Sequence, residues 1–229
     1  MTKFSAIVRT GAWFKTLPPL LQEALLSAAN ECYLDAKERL FARGDESDGL
    51  YCVVEGAIKL TGTAASGKEA ILAIVDAPTW FGEIALFDGQ ARTHDAWADE
   101  PATLLHIRGQ FLTALLQQHP EWWREFGVLL SQKIRLAFTA MEAASIAPLH
   151  VRLAQRLLIM AQGFDGLEGS SKRIIRVPQE QLGQMLAISR QTVNQLLKQL
   201  EVDGVIQLQR GTIEVINLTR LKEIVDAQH

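Results

Sequence analysis

Residues 179–199 read QEQLGQMLAISRQTVNQLLKQ, a pattern of two short amphipathic helices joined by a tight turn. The apolar positions of each helix fall on one face, which we expect to be buried: Leu182, Met185 and Leu186 in the first helix, and Val193, Leu196 and Leu197 in the second. Gly183 is small enough to let the two helices cross closely, and Ser189 is a good N-cap for the second. The stretch therefore predicts a helix-turn-helix motif.

The outer face of the second helix carries side chains that suit DNA: Ser189, Arg190, Gln191, Thr192, Asn194, Gln195 and Lys198. Arginine can pair with guanine and glutamine with adenine, while serine and threonine hydroxyls can hold phosphates. Residues 209–211, between two apolar runs, predict a β-hairpin wing. We therefore predict a DNA-binding winged helix-turn-helix; the alternative is a small helical domain with a solvated polar face. A left-handed backbone at the turn residue Ala187 would cost about 1 kcal/mol.

Residues 31–108 have a different sequence pattern, with short apolar runs separated by glycine and proline. The runs that we expect to form strands are Leu50–Val54, Ala57–Leu60, Ala70–Val75, Ile84–Phe87 and Ala102–Ile107. Short strands at regular spacing favour an antiparallel β-roll. Helices are predicted before the roll, over residues 14–30, and after it, around Phe111–Leu116.

A long segment without proline runs from Glu121 to about Ile146. Its apolar residues repeat at steps of three and four, as on the seam of a two-helix coiled coil: Trp123, Phe126, Leu130, Ile134, Ala137, Met141 and Ala144. This seam predicts a homodimer contact, although packing on the chain's own roll is an alternative for part of it. A second apolar face could be covered by the roll: Leu129, Leu136 and Phe138.

Ala147-Pro148 interrupts the helical pattern and is a candidate hinge, because proline lacks an amide donor and disfavours helix at the residue before it. We therefore predict an α+β fold in three parts. These are an antiparallel β-roll over residues 1–120, a dimerisation helix over residues 121–147 and a winged helix-turn-helix domain over residues 148–229. A polar, glycine-rich loop is expected at Gly163–Lys172.

The formal net charge of the 229-residue chain is -3, from 23 Lys and Arg against 26 Asp and Glu. A protein held to nucleic acid by bulk charge alone is usually strongly basic. The charge is uneven, however, because residues 1–148 carry 13 basic and 18 acidic side chains and residues 149–229 carry 10 and 8. The small excess of +2 in the second part predicts weak, salt-sensitive non-specific attachment to DNA.

Composition argues against several other classes of protein. No apolar run approaches the length of a membrane helix, and the N-terminus lacks the apolar core of a secretion signal, so we expect a cytoplasmic protein. The two cysteines are too few to hold a thiolate-bound iron–sulfur cluster. His94 and His106 do not have a metal-ligand spacing, and neither metal nor haem is expected. An enzyme using Glu83, His94 and Asp95 would lack a nucleophile motif, and no catalytic residue is predicted.

Three stretches together resemble the catabolite activator protein / FNR (CRP/FNR) superfamily of bacterial transcription regulators: LFARGDESDGLYCVVEGAIKL at 40–60, FGEIALFDGQART at 81–93 and LGQMLAISRQTVNQLLKQLEVDGVI at 182–206. The resemblance covers nearly all of residues 20–217. It implies a homodimer on a near-palindromic DNA site, with half-sites about one helical turn apart, and RNA polymerase as a partner. Arg190 and Thr192 match the family's recognition helix, whereas Gln191 and Gln195 are substitutions that predict an altered half-site.

The resemblance also implies that the roll over residues 1–120 is an effector-sensing domain of the cyclic-nucleotide-binding type. A cyclic nucleotide is the implied effector, because the family's nucleotide pocket resembles Phe81–Thr93. Six residues in this stretch suit a nucleotide: Gly82, Glu83, Ile84, Ala85, Arg92 and Thr93. The glycine allows a tight turn, the carboxylate can accept from a ribose hydroxyl, and the next two amides can point at a phosphate. The arginine fork and the threonine hydroxyl can bind the same phosphate. The alternative is a Glu83–Arg92 salt bridge that braces an empty roll.

Some residues of this site depart from the family pattern. His94 stands where alanine is usual, and Ala137-Phe138 stand where the activator's Thr-Ser pair reaches the adenine. Phe138 could stack on a purine, and Thr139 lies next to it, so both are candidate effector contacts. A cyclic dinucleotide such as cyclic di-GMP, or another anionic purine, is therefore an alternative to cyclic AMP. A redox, gas or metal signal sensed by the same fold is a further alternative.

Overall fold

The computed structural model describes residues 2–63, 69–162 and 174–227. The loop predicted at Gly163–Lys172 lies outside these residues. In the described part of the chain, no helix is both long enough and apolar enough to cross a membrane.

Two helices and a 3-10 turn precede the roll: α1 (Ser5–Val8), the turn Phe14–Thr16 and α2 (Pro19–Ala28). Proline is tolerated at the start of α2 because the first amides of a helix have no partner within it. The apolar side chains of this segment are buried against one face of the roll, around Trp13 and Trp80. Trp13 Nε1 donates to the carbonyl of Glu125 at 2.9 Å, which ties the N-terminal segment to the start of the long helix.

The roll consists of two four-stranded antiparallel sheets. Its strands are β1 (Asn30–Leu34), β2 (Arg39–Phe41), β3 (Gly49–Glu55), β4 (Ala57–Thr63), β5 (Glu69–Asp76), β6 (Thr79–Phe81), β7 (Asp95–Ala98) and β8 (Ala102–Arg108). One sheet has the order β1-β8-β3-β6 and the other has the order β2-β7-β4-β5. Side chains from both sheets meet in one buried cluster, which includes Phe41, Val53, Ile58 and Leu104.

The structure confirms the antiparallel roll, and four of the predicted strands lie within β3, β4, β5 and β8. The prediction of a strand at Ile84–Phe87 is wrong, because this run forms the short helix α3 (Ile84–Asp88). Four consecutive apolar residues fit either element. Here the left-handed Gly82, with φ +96°, turns the chain out of β6 and into the helix.

Three further helical elements follow β8: α4 (Gly109–Gln118), the 3-10 turn Pro120–Trp122 and the long helix α5 (Trp123–Ile146). Phe126 and Leu129 of α5 are fully buried in the core that the roll shares with the N-terminal segment. The expectation that Phe126 lies on a dimer seam is therefore wrong. Its ring packs edge-on against Trp13, with centroids 5.5 Å apart.

Three of the exposed large apolar residues of α5 lie close together along the helix: Ile134, Phe138 and Met141. They are spaced by four and three residues and so share one face of the helix. Phe138, which belongs to the second apolar face that the roll could have covered, is 65% exposed. We call these three residues the outer seam.

The C-terminal part combines helices with a three-stranded sheet. Its elements are α6 (Leu149–Gln162), β9 (Ile174–Ile175), α7 (Gln179–Leu186), α8 (Arg190–Val202), β10 (Ile206–Gln209), β11 (Thr212–Val215) and α9 (Leu218–Asp226). The sheet has the order β10-β11-β9. The helix-turn-helix (α7 and α8) and the hairpin wing (β10 and β11) are thus present as predicted. Between α5 and α6 the chain is extended at Ala147, with φ -81° and ψ 141°.

The C-terminal part contacts the roll of the same chain. Gln181 Nε2 of α7 donates to the Asp99 carboxylate at 2.8 Å. Arg156 Nη1 of α6 donates to the carbonyl of Leu72 at 3.2 Å. Ile74 packs against the C-terminal core. These contacts hold α7 beside β5, which is an edge strand of the roll.

Candidate functional site

The turn between β6 and α3 brings Gly82 against Arg92. A Cβ at Gly82 would lie 2.8 Å from Arg92 Nη1 and 3.1 Å from the carbonyl oxygen of Gly49. Because φ is also +96°, a side chain at this position would be strained and would displace the guanidinium. The glycine of the predicted site is therefore needed to hold Arg92 in place.

Arg92 is only 6% exposed and is held by acceptors on one side. Nη2 lies 2.7 Å from Asp48 Oδ1 and 2.9 Å from the Gly49 carbonyl, and Nη1 lies 3.2 Å from the Gly82 carbonyl. The guanidinium also lies over the Phe41 ring, 4.4 Å from its centroid. Among the described residues, nothing accepts a hydrogen bond from Arg92 Nε, although this atom is buried. A buried charged donor without an acceptor is costly unless a ligand supplies one.

The Asp48 carboxylate interacts with other side chains besides Arg92. It accepts hydrogen bonds from Tyr51 and Arg92, and His106 Nε2 lies 3.6 Å from its Oδ2. Partial burial opposes ionisation of this carboxyl, but the bonds from Tyr51 and Arg92 outweigh it and lower the pKa of Asp48. Asp48 is therefore an anion that pairs with Arg92.

Glu83 pairs with Lys133 and not with Arg92, which was the partner considered from the sequence. Its carboxylate is 2% exposed and lies 2.6 Å from Lys133 Nζ of α5. Lys133 Nζ also donates to the carbonyl of Trp80 at 2.7 Å. The alternative of a Glu83–Arg92 salt bridge is therefore wrong, because each side chain pairs elsewhere. Lys133 was not foreseen from the sequence, where the available signal was a lysine within the apolar repeat of α5.

Glu83, Arg92 and Lys133 line a partly open cavity of about 250 Å³ between the roll and α5, which we call the enclosed cavity because it is the more enclosed of the two cavities beside α3. The structure brings six of the predicted effector residues to its wall: Gly82, Glu83, Ile84, Ala85, Arg92 and Thr93. The rest of the wall is mostly apolar and includes Phe41, Leu60, Leu130, Ile134 and Ala137. The cavity thus combines an apolar wall with a cation and a carboxylate, which is a usual design for binding a small molecule.

Two predicted effector residues do not reach this cavity. Phe138 belongs to the outer seam, and Thr139 donates its hydroxyl to the carbonyl of Arg135 at 2.9 Å on the exposed side of α5. Within one chain, the cavity wall ends at Ala137. Phe138 shares a helix face with Ile134, which lines the cavity, but it lies one turn further along α5, beyond the end of the wall.

A wider cavity of about 750 Å³ lies near the other side of α3. Asp48, His106 and Arg108 are among its lining residues, and it shares Gly82 and Glu83 with the enclosed cavity. Arg92 and Lys133 are not part of its wall. Arg92 distinguishes the two cavities, because it lines the enclosed cavity and not the wider one.

His94 also lines the enclosed cavity. Its Nδ1 lies 2.7 Å from the Thr93 hydroxyl oxygen. Burial lowers the pKa of His94, and the nearby charges of Arg92 and Lys133 lower it further. The imidazole is therefore neutral at neutral pH.

The predicted DNA-binding residues lie along α8 from its N-cap Ser189 to Lys198. Ser189 caps the helix, since its hydroxyl accepts from the Thr192 amide at 3.1 Å. The side chains that extend into solvent are Arg190, Gln191, Gln195 and Lys198. Thr192 is half-buried, with its hydroxyl 2.9 Å from that of Ser189. Asn194, which we expected to face DNA, instead donates to Gln179 of α7 at 3.1 Å and links the two helices.

The turn of the motif has the backbone that the sequence suggested. Ala187 is left-handed, with φ 55° and ψ 39°, and is one of two non-glycine residues with positive φ among those described. At Gly183, a Cβ would lie 2.8 Å from the carbonyl oxygen of Ile188, so the close approach of the turn requires glycine.

No group of three or more His, Cys, Asp and Glu side chains that could hold a metal ion is present in residues 2–63, 69–162 and 174–227. The two cysteines are free thiols; Cys52 is buried and Cys32 is half-buried. Burial raises the pKa of the Cys32 thiol, which makes it a weak nucleophile.

Two family models match this chain: the cyclic nucleotide-binding domain over residues 31–119 and the Crp-like helix-turn-helix domain over residues 151–224. The cyclic AMP receptor protein of Thermus thermophilus is 30% identical over 186 residues, which cover 81% of this chain and 83% of the relative. The cAMP-activated global transcriptional regulator CRP of Haemophilus influenzae is 30% identical over 79% of this chain and 81% of the relative.

Among solved structures, FixK2 from Bradyrhizobium japonicum has the same fold, with a TM-score of 0.75 at 19% identity and coverage of 86% of this chain and 96% of that chain. The homologues are transcription regulators and not enzymes. Together, the two domains and these relatives show that the chain belongs to the CRP/FNR superfamily of DNA-binding transcription regulators.

Proposed function

We propose that this chain is a homodimeric transcription regulator whose DNA binding is gated by a cyclic nucleotide bound in the enclosed cavity. In this proposal, residues 1–120 sense the effector, residues 121–147 dimerise and residues 148–229 bind DNA. The observation that carries the proposal is Arg92, a buried cation that lines a mostly apolar cavity and whose Nε has no acceptor in the described part of the chain.

Each feature of the cavity would meet one part of a nucleotide. Arg92 Nε would donate to the phosphate, supported by the Thr93 hydroxyl and by the backbone amides of Ile84 and Ala85. Glu83 would accept from a ribose hydroxyl, in competition with its present partner Lys133. The apolar wall would cover the base. A cavity of about 250 Å³ favours a cyclic mononucleotide over a cyclic dinucleotide, which has twice as many phosphates, sugars and bases.

Dimerisation is supported by the outer seam, which leaves Ile134, Phe138 and Met141 exposed on one face of a 24-residue helix. Ala137 lines the cavity and Phe138 follows it, so α5 connects the effector to the seam. Phe138 and Thr139 would contact a nucleotide only across the dimer, from the second copy's helix. This arrangement would let one ligand bias the packing of both long helices.

The DNA contacts that we propose come from α8, between its N-cap Ser189 and Lys198. Arg190, Gln191 and Gln195 would read bases, while Ser189, Thr192 and Lys198 would hold phosphates. Gating requires two states that differ in effector affinity. A change at the extended residue Ala147 would reorient α7 and α8 relative to the roll. We also propose RNA polymerase as a partner of the DNA-bound dimer.

Isothermal titration of the full-length protein with cyclic AMP, cyclic GMP and cyclic di-GMP tests this proposal. We expect one of the mononucleotides to bind, and Arg92→Ala to abolish that binding while DNA affinity without nucleotide is kept. Lys59→Met, which changes a cation of the roll outside the cavity wall, is the control and should bind normally. Failure of all three nucleotides to bind, with DNA binding intact, would favour a non-nucleotide signal.

A further inference from the structure

His94 is the residue of the enclosed cavity that the functions above leave unused. It follows Arg92 and Thr93 directly, and its ring shares the cavity wall with Arg92. The Thr93 hydroxyl forms a hydrogen bond with Nδ1 of this ring. In residues 2–63, 69–162 and 174–227, the structure gives Nε2 no hydrogen-bond partner. An imidazole fixed at one nitrogen and open at the other is suited to contact a ligand.

We propose that His94 contacts the effector's phosphate through Nε2 and takes up a proton when an anionic cyclic nucleotide binds. This inference rests on the proposed function. A hydroxyl both donates and accepts, so the Thr93 contact at Nδ1 persists in either protonation state. Once protonated, the ring can donate from Nε2 to a phosphate oxygen, beside the bond from Arg92 Nε.

The charges around His94 set the direction of the effect. Arg92 and Lys133 disfavour the imidazolium, while Glu83 and Asp95 favour it, and the Asp95 carboxylate is already bound by the amide of Arg43. Burial and the two cations prevail in the free protein, so the pKa of His94 lies below its usual value. A bound phosphate adds a negative charge and raises the pKa again. Ligand binding therefore takes up a proton, and the affinity rises as the pH falls.

Cyclic nucleotides suit the test because a phosphodiester lacks the second ionisation of a phosphate monoester, which has a pKa of about 6. The full-length protein is titrated with the cyclic mononucleotide that binds, in buffers of different ionisation enthalpy. We expect proton uptake that is largest between the pKa of His94 in the free protein and its higher pKa in the complex, and that vanishes well above both. Below both pKa values, the dissociation constant should tighten about tenfold for each unit by which the pKa rises.

Two variants separate His94 from other sources of protons. His94→Gln keeps a hydrogen-bonding side chain that does not titrate, and its affinity should be independent of pH with no proton uptake. His106→Gln removes the titratable partner of Asp48, outside the enclosed cavity, and should keep the uptake of the natural protein.

Each result has one meaning. Nucleotide binding without proton uptake, or uptake that survives in His94→Gln, would overturn the inference and leave the proposed function standing. Absence of nucleotide binding at every pH would overturn both.

Discussion

Lys133→Met tests the ion pair that joins the cavity to the long helix. Lys133 Nζ lies 2.6 Å from Glu83 Oε2, and the two side chains are 10% and 2% exposed. Methionine keeps much of the apolar stem but leaves the carboxylate buried without its cation. Removing one partner of a buried pair typically costs about 3–5 kcal/mol, and we expect the free energy of unfolding of the roll to fall by this amount.

Urea unfolding followed by tryptophan fluorescence measures this loss. The five tryptophans lie at positions 13, 80, 97, 122 and 123, so the signal reports on the roll and the start of α5 and not on the C-terminal part. Lys133→Met combined with Glu83→Gln removes the uncompensated charge, and we expect this double variant to recover most of the lost stability.

Lys59→Met is the matched control, because Lys59 Nζ lies 3.8 Å from Glu69 Oε1 in a more exposed pair. It should cost less than about 1 kcal/mol. A loss below about 1 kcal/mol for Lys133→Met, or a double variant as unstable as the single one, would refute the reasoning that a buried carboxylate depends on Lys133.

Three further predictions concern the turn, the outer seam and the DNA interface. Ala187→Gly relieves the left-handed backbone and should stabilise the helix-turn-helix by roughly 0.5–1 kcal/mol, seen as slower amide exchange in α7 and α8; faster exchange would contradict it. Met141→Glu places a charge on the outer seam and should shift the protein to monomer in sedimentation, whereas an unchanged dimer would place the interface elsewhere. Arg190→Ala should weaken binding to a selected DNA site by about 1–3 kcal/mol, whereas Lys198→Ala should mainly lower the salt slope by about 1; identical effects on every DNA sequence would argue against base reading by Arg190.

Local sequence patterns were sufficient to predict the helix-turn-helix. Leu182 and Val193 are fully buried, Ser189 caps α8 and Ala187 is left-handed, and each follows from residues within one or two turns of helix. The alternating and continuous apolar runs likewise located four strands of the roll. Short elements were harder, because the run Ile84–Phe87 fits a strand or a helix until the turn at Gly82 is known.

Contacts between distant residues could not be predicted in the same way. The Glu83–Lys133 pair joins positions 50 residues apart, and no spacing rule links a turn of the roll to α5. Phe126 and Phe138 carry the same side chain on one helix, yet one is fully buried and the other is exposed. Their difference depends on how far along α5 the roll and the N-terminal segment extend, which is a tertiary property.

The central claim is that a nucleotide in the enclosed cavity controls DNA binding. Fluorescence anisotropy of a labelled DNA duplex, carrying a site selected by the full-length protein, measures this coupling with and without the saturating cyclic mononucleotide. Coupling free energies between two sites are usually about 1–3 kcal/mol, so we predict that the nucleotide tightens DNA binding at least about fivefold and that Arg92→Ala abolishes the change. Equal DNA affinity in the presence and absence of bound nucleotide would contradict the claim.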